Sequence, residues 1–405
     1  MGASGTAGAE AIKAAGGLCL AQDPETADFP GMPQRLIQSG YADQTLRVED
    51  MPAVLRRYAE QPLGVAESAP QLAPHGPKAN QLEQQLWDML QILRARTGRD
   101  FSPFKTAMVV RRVQRRMGLL GTTALESYGT RLRESSAEVT ALANDLMINV
   151  TGFFRDCDAW EVLRESVIRP LVFQRETGEA IRAWVTPCAS GEEAYSLAML
   201  LDEEAERAGK AFDVKIIATD TTDEVLARAR AGVYPSGIEG SLSAQRLERF
   251  FDSDEHSYRI KRKLREQVVF APQDVLRDPP FSRLDVVTCR NLLIYLNPEA
   301  QRRTLALLHS ALREGGHLLL GNAESLAGAD ALFEVVSKRW RIFRRAGPAC
   351  PRVELPAMAP RPEIHSRIAA PLQQGARSSA IPSIQHTLLE EIGPPTAVIV
   401  ECCIR

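Results

Sequence analysis

Residues 184–196 read WVTPCASGEEAYS: the end of an apolar strand, a tight turn and the first turn of a helix, with no linker between them. Such a junction lets a ligand approach backbone N–H groups at a helix N-terminus. It also has a purely local explanation, because Ser190-x-x-Glu193 is a capping box and acids favour a first helical turn. Outward from this stretch, apolar runs at 181–185, 214–218, 268–271, 284–289 and 317–320 alternate with helical patterns at 192–207, 223–231 and 298–313. Strand–helix alternation predicts an α/β fold with a parallel, doubly wound sheet and a ligand at the carboxyl ends of the strands. Residues 234–268 break that rhythm, and HSYRIKRKLREQVVF within them predicts short antiparallel strands of an inserted subdomain.

Upstream, residues 80–145 are helical throughout, with apolar residues at three-and-four spacing in LWDMLQILRARTG and MVVRRVQRRMGLL. Residues 61–79 carry Pro62, Pro70, Pro74 and Pro77 and no periodicity, the composition of a linker, and residues 346–384 form a second Pro-rich linker. Residues 1–60 read as the tail of an α/β unit: a helix at 10–15, a strand at 18–21, a Pro/Gly loop and a helix at 51–58. The body of the chain would then comprise a helical domain at 80–145 and an α/β domain at 146–345, followed by a short segment at 385–405.

The 405 residues are 44% hydrophobic and 25% charged, which excludes a disordered or fibrous chain. With 49 Lys+Arg against 51 Asp+Glu the net charge is −2, so no global field attracts nucleic acid or membrane, and any basic surface is local. No apolar run approaches a membrane span and no leader pattern opens the chain, so a cytoplasmic protein without membrane insertion is expected. Seven cysteines without C-x-x-C spacing indicate neither a disulfide framework nor a metal site.

Three further stretches carry candidate chemistry. Asp220 ends the strand IIATD, where doubly wound folds place an acid on a ribose diol; Thr221-x-x-Glu224 can cap the next helix without it. Arg290 and Asn291 follow an apolar strand, where a charge needs a partner or a ligand. NVTGFFR, residues 149–155, lies between the helical and α/β parts, where a cleft would form; Phe153 and Phe154 suit core packing, and Asn149 and Arg155 suit either inter-domain stitching or a ligand. The helix expected at 102–120 carries Lys105, Arg111, Arg112, Arg115 and Arg116 and no acid, a basic face suited to an acidic helix or merely to solvent. No aromatics interleave with it for base stacking, which argues against RNA.

Taken together, NVTGFFRD, WVTPCASGEEAYSLAM, ATDTTDEVLARARAGVYP, FSRLDVVTCRNLLIYL and GGHLLLGNAESL resemble, in order, the chemotaxis receptor glutamate methyltransferase (CheR) family. The resemblance covers about residues 81–345. It implies an all-helical N-terminal domain, an α/β domain that binds S-adenosylmethionine, and an inserted antiparallel subdomain. It implies Asn149, Thr151, Arg155 and Glu193 around the methionine end of the cofactor and Asp220 on the ribose. Asp274 and Val275, in the family's Asn-Leu position, would flank the adenine, with Arg290 and Asn291 closing the pocket. Arg155 and Tyr295 would line the methyl-transfer site; without the family, Tyr295 reads equally as a half-buried sheet aromatic. The partner implied is a cytoplasmic helical signalling domain of a chemoreceptor, docked on the basic helix. Pro187 departs from the Gly of fused family members and would crowd the cofactor turn, which leaves a catalytically weakened scaffold as the alternative; a methyltransferase for a small molecule or nucleic acid is a further one.

The head has its own resemblance. GAEAIKAAGGLCLAQDPETADFPGMPQRLIQSGYADQTLRVEDMP is similar to the C-terminal end of the partner chemotaxis methylesterase (CheB), with the Ser-His-Asp triad not present, and HTLLEEIGPPTAVIVECCIR is similar to the start of a PAS sensory module. The resemblance implies a fusion clipped at both ends, without esterase activity.

Overall fold

The computed structural model describes residues 8–9, 12, 17–38, 41–59, 81–147, 151–254 and 257–347. The helix expected at 10–15, both Pro-rich linkers, Asn149 and the PAS-like segment lie wholly or mostly outside the described residues.

The head contains two short parallel strands, β1 (Leu20–Gln22) and β2 (Gln44–Leu46), and helices Gly31–Gln38 and Met51–Ala59. The helical part follows as Gln81–Thr97, Thr106–Leu120, Leu125–Glu134 and Ser136–Leu146. Its apolar stripes meet in one core that includes Leu86, Leu93, Val113, Leu132 and Leu142. The basic helix starts at Thr106, not at 102. Residues 102–103 turn and 104–105 are extended instead, Phe104 bridging Leu296, with the N–H of Lys105 donating to the Tyr295 carbonyl at 2.8 Å and that of Asn297 to the Pro103 carbonyl at 2.8 Å. Competing hydrogen bonds to the α/β part therefore shorten the helix and pin the two parts together.

In chain order the remaining strands are β3 (Ala180–Val185), β4 (Asp213–Asp220), β5 (Val233–Pro235), β6 (Phe251–Ser253), β7 (Ser257–Ile260), β8 (Val268–Pro272), β9 (Leu284–Cys289), β10 (Leu312–Leu320), β11 (Phe333–Ser337) and β12 (Ile342–Arg345). One seven-stranded sheet runs β11-β12-β10-β9-β3-β4-β8. Its five strands from β10 to β8 are parallel, as expected, but β11 and β12 add an antiparallel edge that makes the sheet mixed. A hairpin needs no crossover helix, so it escapes a reading built on strand–helix alternation. Strands β5, β7 and β6 form the separate antiparallel sheet of the insertion. There the stretch KRKLREQ is a helical turn, Arg262–Arg265, rather than strand, and helix Ala244–Phe250 connects β5 to β6.

The turn at 186–191 delivers the chain from β3 into helix Glu192–Arg207. Gly191 is its N-cap at φ 95°, and a Cβ there would sit 3.0 Å from both the Ala229 Cβ and the Phe270 ring, so the turn requires glycine twice over. No side chain caps this helix: Ser190 Oγ bonds the Glu192 carboxylate at 2.8 and 3.0 Å. The capping-box explanation is thereby set aside, and Glu193 is left to act elsewhere.

Candidate active site

A cleft enclosing about 700 Å³ of space, its mouth included, opens where the carboxyl ends of β3, β4 and β9 meet the helical part. Phe101, Phe104 and Met147 supply apolar wall from the helical side. Asp220, Asp274, Val275, Asn291 and Tyr295 line the α/β side, so five of the residues singled out from sequence converge on one cavity. Pro187 stands in the same wall.

Asp220 is 2% exposed, and its oxygens accept from the N–H of Ala189 at 3.0 Å and of Thr222 at 3.1 Å. It thus ties the β3 turn to the β4 turn. Burial pushes its carboxyl above the ordinary value, against those N–H groups and the charge of Arg99. The cap expected from Thr221-x-x-Glu224 is not made. Thr222 is the N-cap without a side-chain bond, and Asp220 serves that turn itself, because its position at the strand end points it at the free N–H groups. Asp274 accepts from the Leu276 N–H at 2.9 Å and is likewise raised by burial. A carboxylate fixed by backbone donors keeps lone pairs for a second donor, such as a sugar hydroxyl.

Glu193 and Arg290 lie behind the cleft rather than in its wall. The Arg290 guanidinium is 2.6 Å from Asp156, 3.4 Å from Glu193 and 3.1 Å from the Arg155 carbonyl, with the Trp160 ring 5.8 Å away. Thr288 Oγ1 donates to Glu193 at 2.6 Å, and Trp160 Nε1 donates to the Arg155 carbonyl at 3.0 Å. Arg290, expected to close the pocket, instead braces the 155–160 turn, since a buried cation behind a strand end needs carboxylates on more than one side. Thr151 and Arg155 are half-buried on this segment and do not line the cavity. Phe153 packs edge-on against Tyr234 and Phe251, and Phe154 against Trp160, so both are core.

Tyr295 links the two groups. Burial raises its phenol, while the charges of Arg112 in the helical part and of Arg155 pull it down. Two residues that sequence reasoning passed over position this corner. Glu324 is buried beneath it and accepts from the Leu293 N–H at 2.7 Å, holding the turn in which Asn291 adopts φ 62°. Arg99 donates to the Thr221 carbonyl at 2.7 Å across the cleft. The Asn-Ala-Glu-Ser quartet after β10 was the only signal for Glu324, and nothing local marked Arg99.

The basic helix departs most from expectation. Lys105 is exposed, precedes the helix and donates to the Ile294 carbonyl at 2.8 Å; Arg111 is exposed. Arg112 and Arg115, by contrast, are only 6% and 4% exposed. Arg115 is ion-paired to both Asp43 of the head and Asp145, and Arg116 forms a two-pronged pair with Glu138 at 2.9 and 2.6 Å. The four arginines are therefore not one solvated face: helices Met51–Ala59 and Ser136–Leu146 pack along the same helix, and Asp43, Glu138 and Asp145 neutralise part of it.

A mixed doubly wound sheet with an acid at the end of its second strand, facing a cleft roofed by helices, is the architecture of an S-adenosylmethionine-dependent methyltransferase. Comparison with known proteins narrows this. Residues 149–342 match the family described as CheR methyltransferase, SAM binding domain, residues 85–147 its all-alpha domain, and residues 1–55 the CheB methylesterase family. The chain is 33% identical over 252 residues to chemotaxis protein methyltransferase 2 of Vibrio cholerae, covering 61% of this chain and 86% of that one. It is also 33% identical over 248 residues to chemotaxis protein methyltransferase 1 of Pseudomonas aeruginosa, covering 60% and 90%. An uncharacterized 104.1 kDa protein of Rhodobacter capsulatus is 38% identical over 418 residues, spanning 98% of this chain, which in turn spans 43% of that protein. The chain belongs to the CheR family of chemotaxis methyltransferases. No helix among the described residues is long and apolar enough to cross a membrane.

Proposed function

We propose that the chain methylates glutamate side chains of chemoreceptors, forming glutamate 5-O-methyl esters on their cytoplasmic helical signalling domains, and that it works in the cytoplasm. The observation that supports this best is the convergence of Asp220, Asp274 and Tyr295 on one cleft, with two arginine charges acting on the Tyr295 phenol. Asp220 would hold the ribose hydroxyls of S-adenosylmethionine, Asp274 and Val275 would flank its adenine, and Glu193, Asn149, Thr151 and Asn291 would shape the methionine end. The donor set suits that ligand: apolar wall for a base, and buried carboxylates, already fixed by backbone N–H groups, for hydroxyls. Bound there, the cofactor supplies a methyl group already activated on a sulfonium.

The acceptor glutamate is an anion near neutral pH, so no general base is required. The protein's contribution is orientation. Tyr295, in the cleft wall, would orient the carboxylate, with Arg155 contributing its charge from outside that wall, and the helical roof excludes water. Residues 385–405 would be the opening of a PAS-like module. Pro187 in the cleft wall favours one second reading, a cofactor-binding scaffold with weakened catalysis. Calorimetric titration with S-adenosylhomocysteine tests both, with Asp220→Asn as control. Binding by the parent and weakening in the variant support the cofactor site, and methyl transfer to a receptor fragment then separates the enzyme from the scaffold; no binding by a folded parent overturns both readings.

A further inference from the structure

The contact between the head and the basic helix has no role in methyl transfer as described above. Asp43 is anchored in the head, its backbone N–H donating to the Cys19 carbonyl at 2.7 Å and its Oδ2 accepting from the Cys19 N–H at 2.8 Å. Its Oδ1 pairs with Arg115 in a contact where both side chains are almost wholly removed from solvent. Arg112, one turn earlier, makes no ion pair with any described residue, and it acts on the Tyr295 phenol at the cleft. Arg112 and Arg115 thus form a track along a helix whose preceding residue, Lys105, bonds the Tyr295 carbonyl at 2.8 Å and whose Arg115 pairs with the head. Two carboxylates, Asp43 and Asp145, answer these two cations; without Asp43 the track carries one net positive charge. Arg116 is already engaged by Glu138 and adds nothing to it.

We infer that the head is an intramolecular competitor for the acidic receptor helix, with the Asp43 carboxylate occupying the arginine track that an acceptor glutamate helix needs in order to reach Tyr295. This rests on the methyl-transfer reading. The ion pair and the packing of helix Met51–Ala59 along Thr106–Leu120 seat the head on the basic helix, where it would compete with the acceptor. An acidic helix displaces the head by supplying carboxylates of its own, and the equilibrium shifts by the difference between the two contacts. Movement of the head therefore sets how readily the acceptor docks.

The test uses the full chain, Asp43→Asn and Asp43→Glu, a purified receptor signalling fragment rich in glutamate, S-adenosylmethionine as methyl donor for KM, and S-adenosylhomocysteine for the binding control. Expected is a several-fold fall in KM for the fragment in Asp43→Asn, near-parent KM in Asp43→Glu, and unchanged S-adenosylhomocysteine affinity in all three. Hydrogen exchange on the unaltered chain supplies a second readout: residues 44–46 and 51–59 should lose protection when the fragment is added. An unchanged or raised KM in Asp43→Asn with intact S-adenosylhomocysteine binding overturns the inference alone, as does a head that keeps its protection while the fragment is methylated. Absence of S-adenosylhomocysteine binding in every chain overturns the methyl-transfer reading and this inference with it.

Discussion

Asp220 and Arg115 are both almost fully buried charges, yet they are satisfied in opposite ways. Asp220 is held by backbone N–H groups of two turns that the sheet itself brings together. Arg115 is held by side-chain carboxylates from two other segments, one of them in the head. Backbone donors leave an acid with free lone pairs and a fixed aim, which suits a ligand site. A cation closed between two carboxylates is a structural joint, open to a ligand only if one carboxylate withdraws.

The comparison can be broken most severely at Arg290, which combines both modes. Arg290→Ala leaves Glu193 and Asp156 without their cation and should cost about 3–5 kcal/mol in denaturant unfolding; a loss under about 1 kcal/mol would show that the brace is dispensable. Asp220→Asn keeps the shape and removes the charge, and it should weaken S-adenosylhomocysteine binding roughly ten- to a hundredfold by calorimetry. Tyr295→Phe should bind S-adenosylhomocysteine normally and lower kcat by about tenfold to a hundredfold, with little change in stability. Arg111→Ala, at the exposed end of the basic helix, should raise KM for the receptor fragment by only a few-fold and lose that effect at high salt.

A pH experiment sharpens the same contrast, because His317 on β10 is half-buried and the charges acting on it are those of Arg344 and Arg313. Burial, helped by Arg344 and Arg313, lowers its pKa to about 4. The folded state thus favours neutral imidazole, and this contribution is present above the ordinary histidine value of about 6.5 and lost as pH falls from there toward 4. His317→Gln should flatten that part of the pH–stability curve, by about 1–2 kcal/mol between the two limits.

The central parallel strands were legible because they are buried on both faces and read as unbroken apolar runs; β9 and the helices Glu192–Arg207 and Asp223–Ala231 begin and end where the pattern places them. The edge hairpin was not, since β11 exposes Val335 and Val336 and offers no such run. Asp220 was legible because it ends a strand, where this fold places ligands; Asp274 and Tyr295 were named through the family resemblance, and all three line one cleft. Glu324 was missed because its partners, the N–H groups of the turn that follows β9, lie about thirty residues upstream. The arginines were misread for the same reason: whether Arg115 meets water depends on Asp43, seventy-two residues away and beyond a Pro-rich stretch.

The most direct measurement of the account is transfer of labelled methyl from S-adenosylmethionine to a purified receptor signalling fragment, followed by mild base. The account predicts receptor-dependent label that base releases as methanol, as a glutamate methyl ester must. Label that survives base, or label that appears without the receptor fragment, would contradict it.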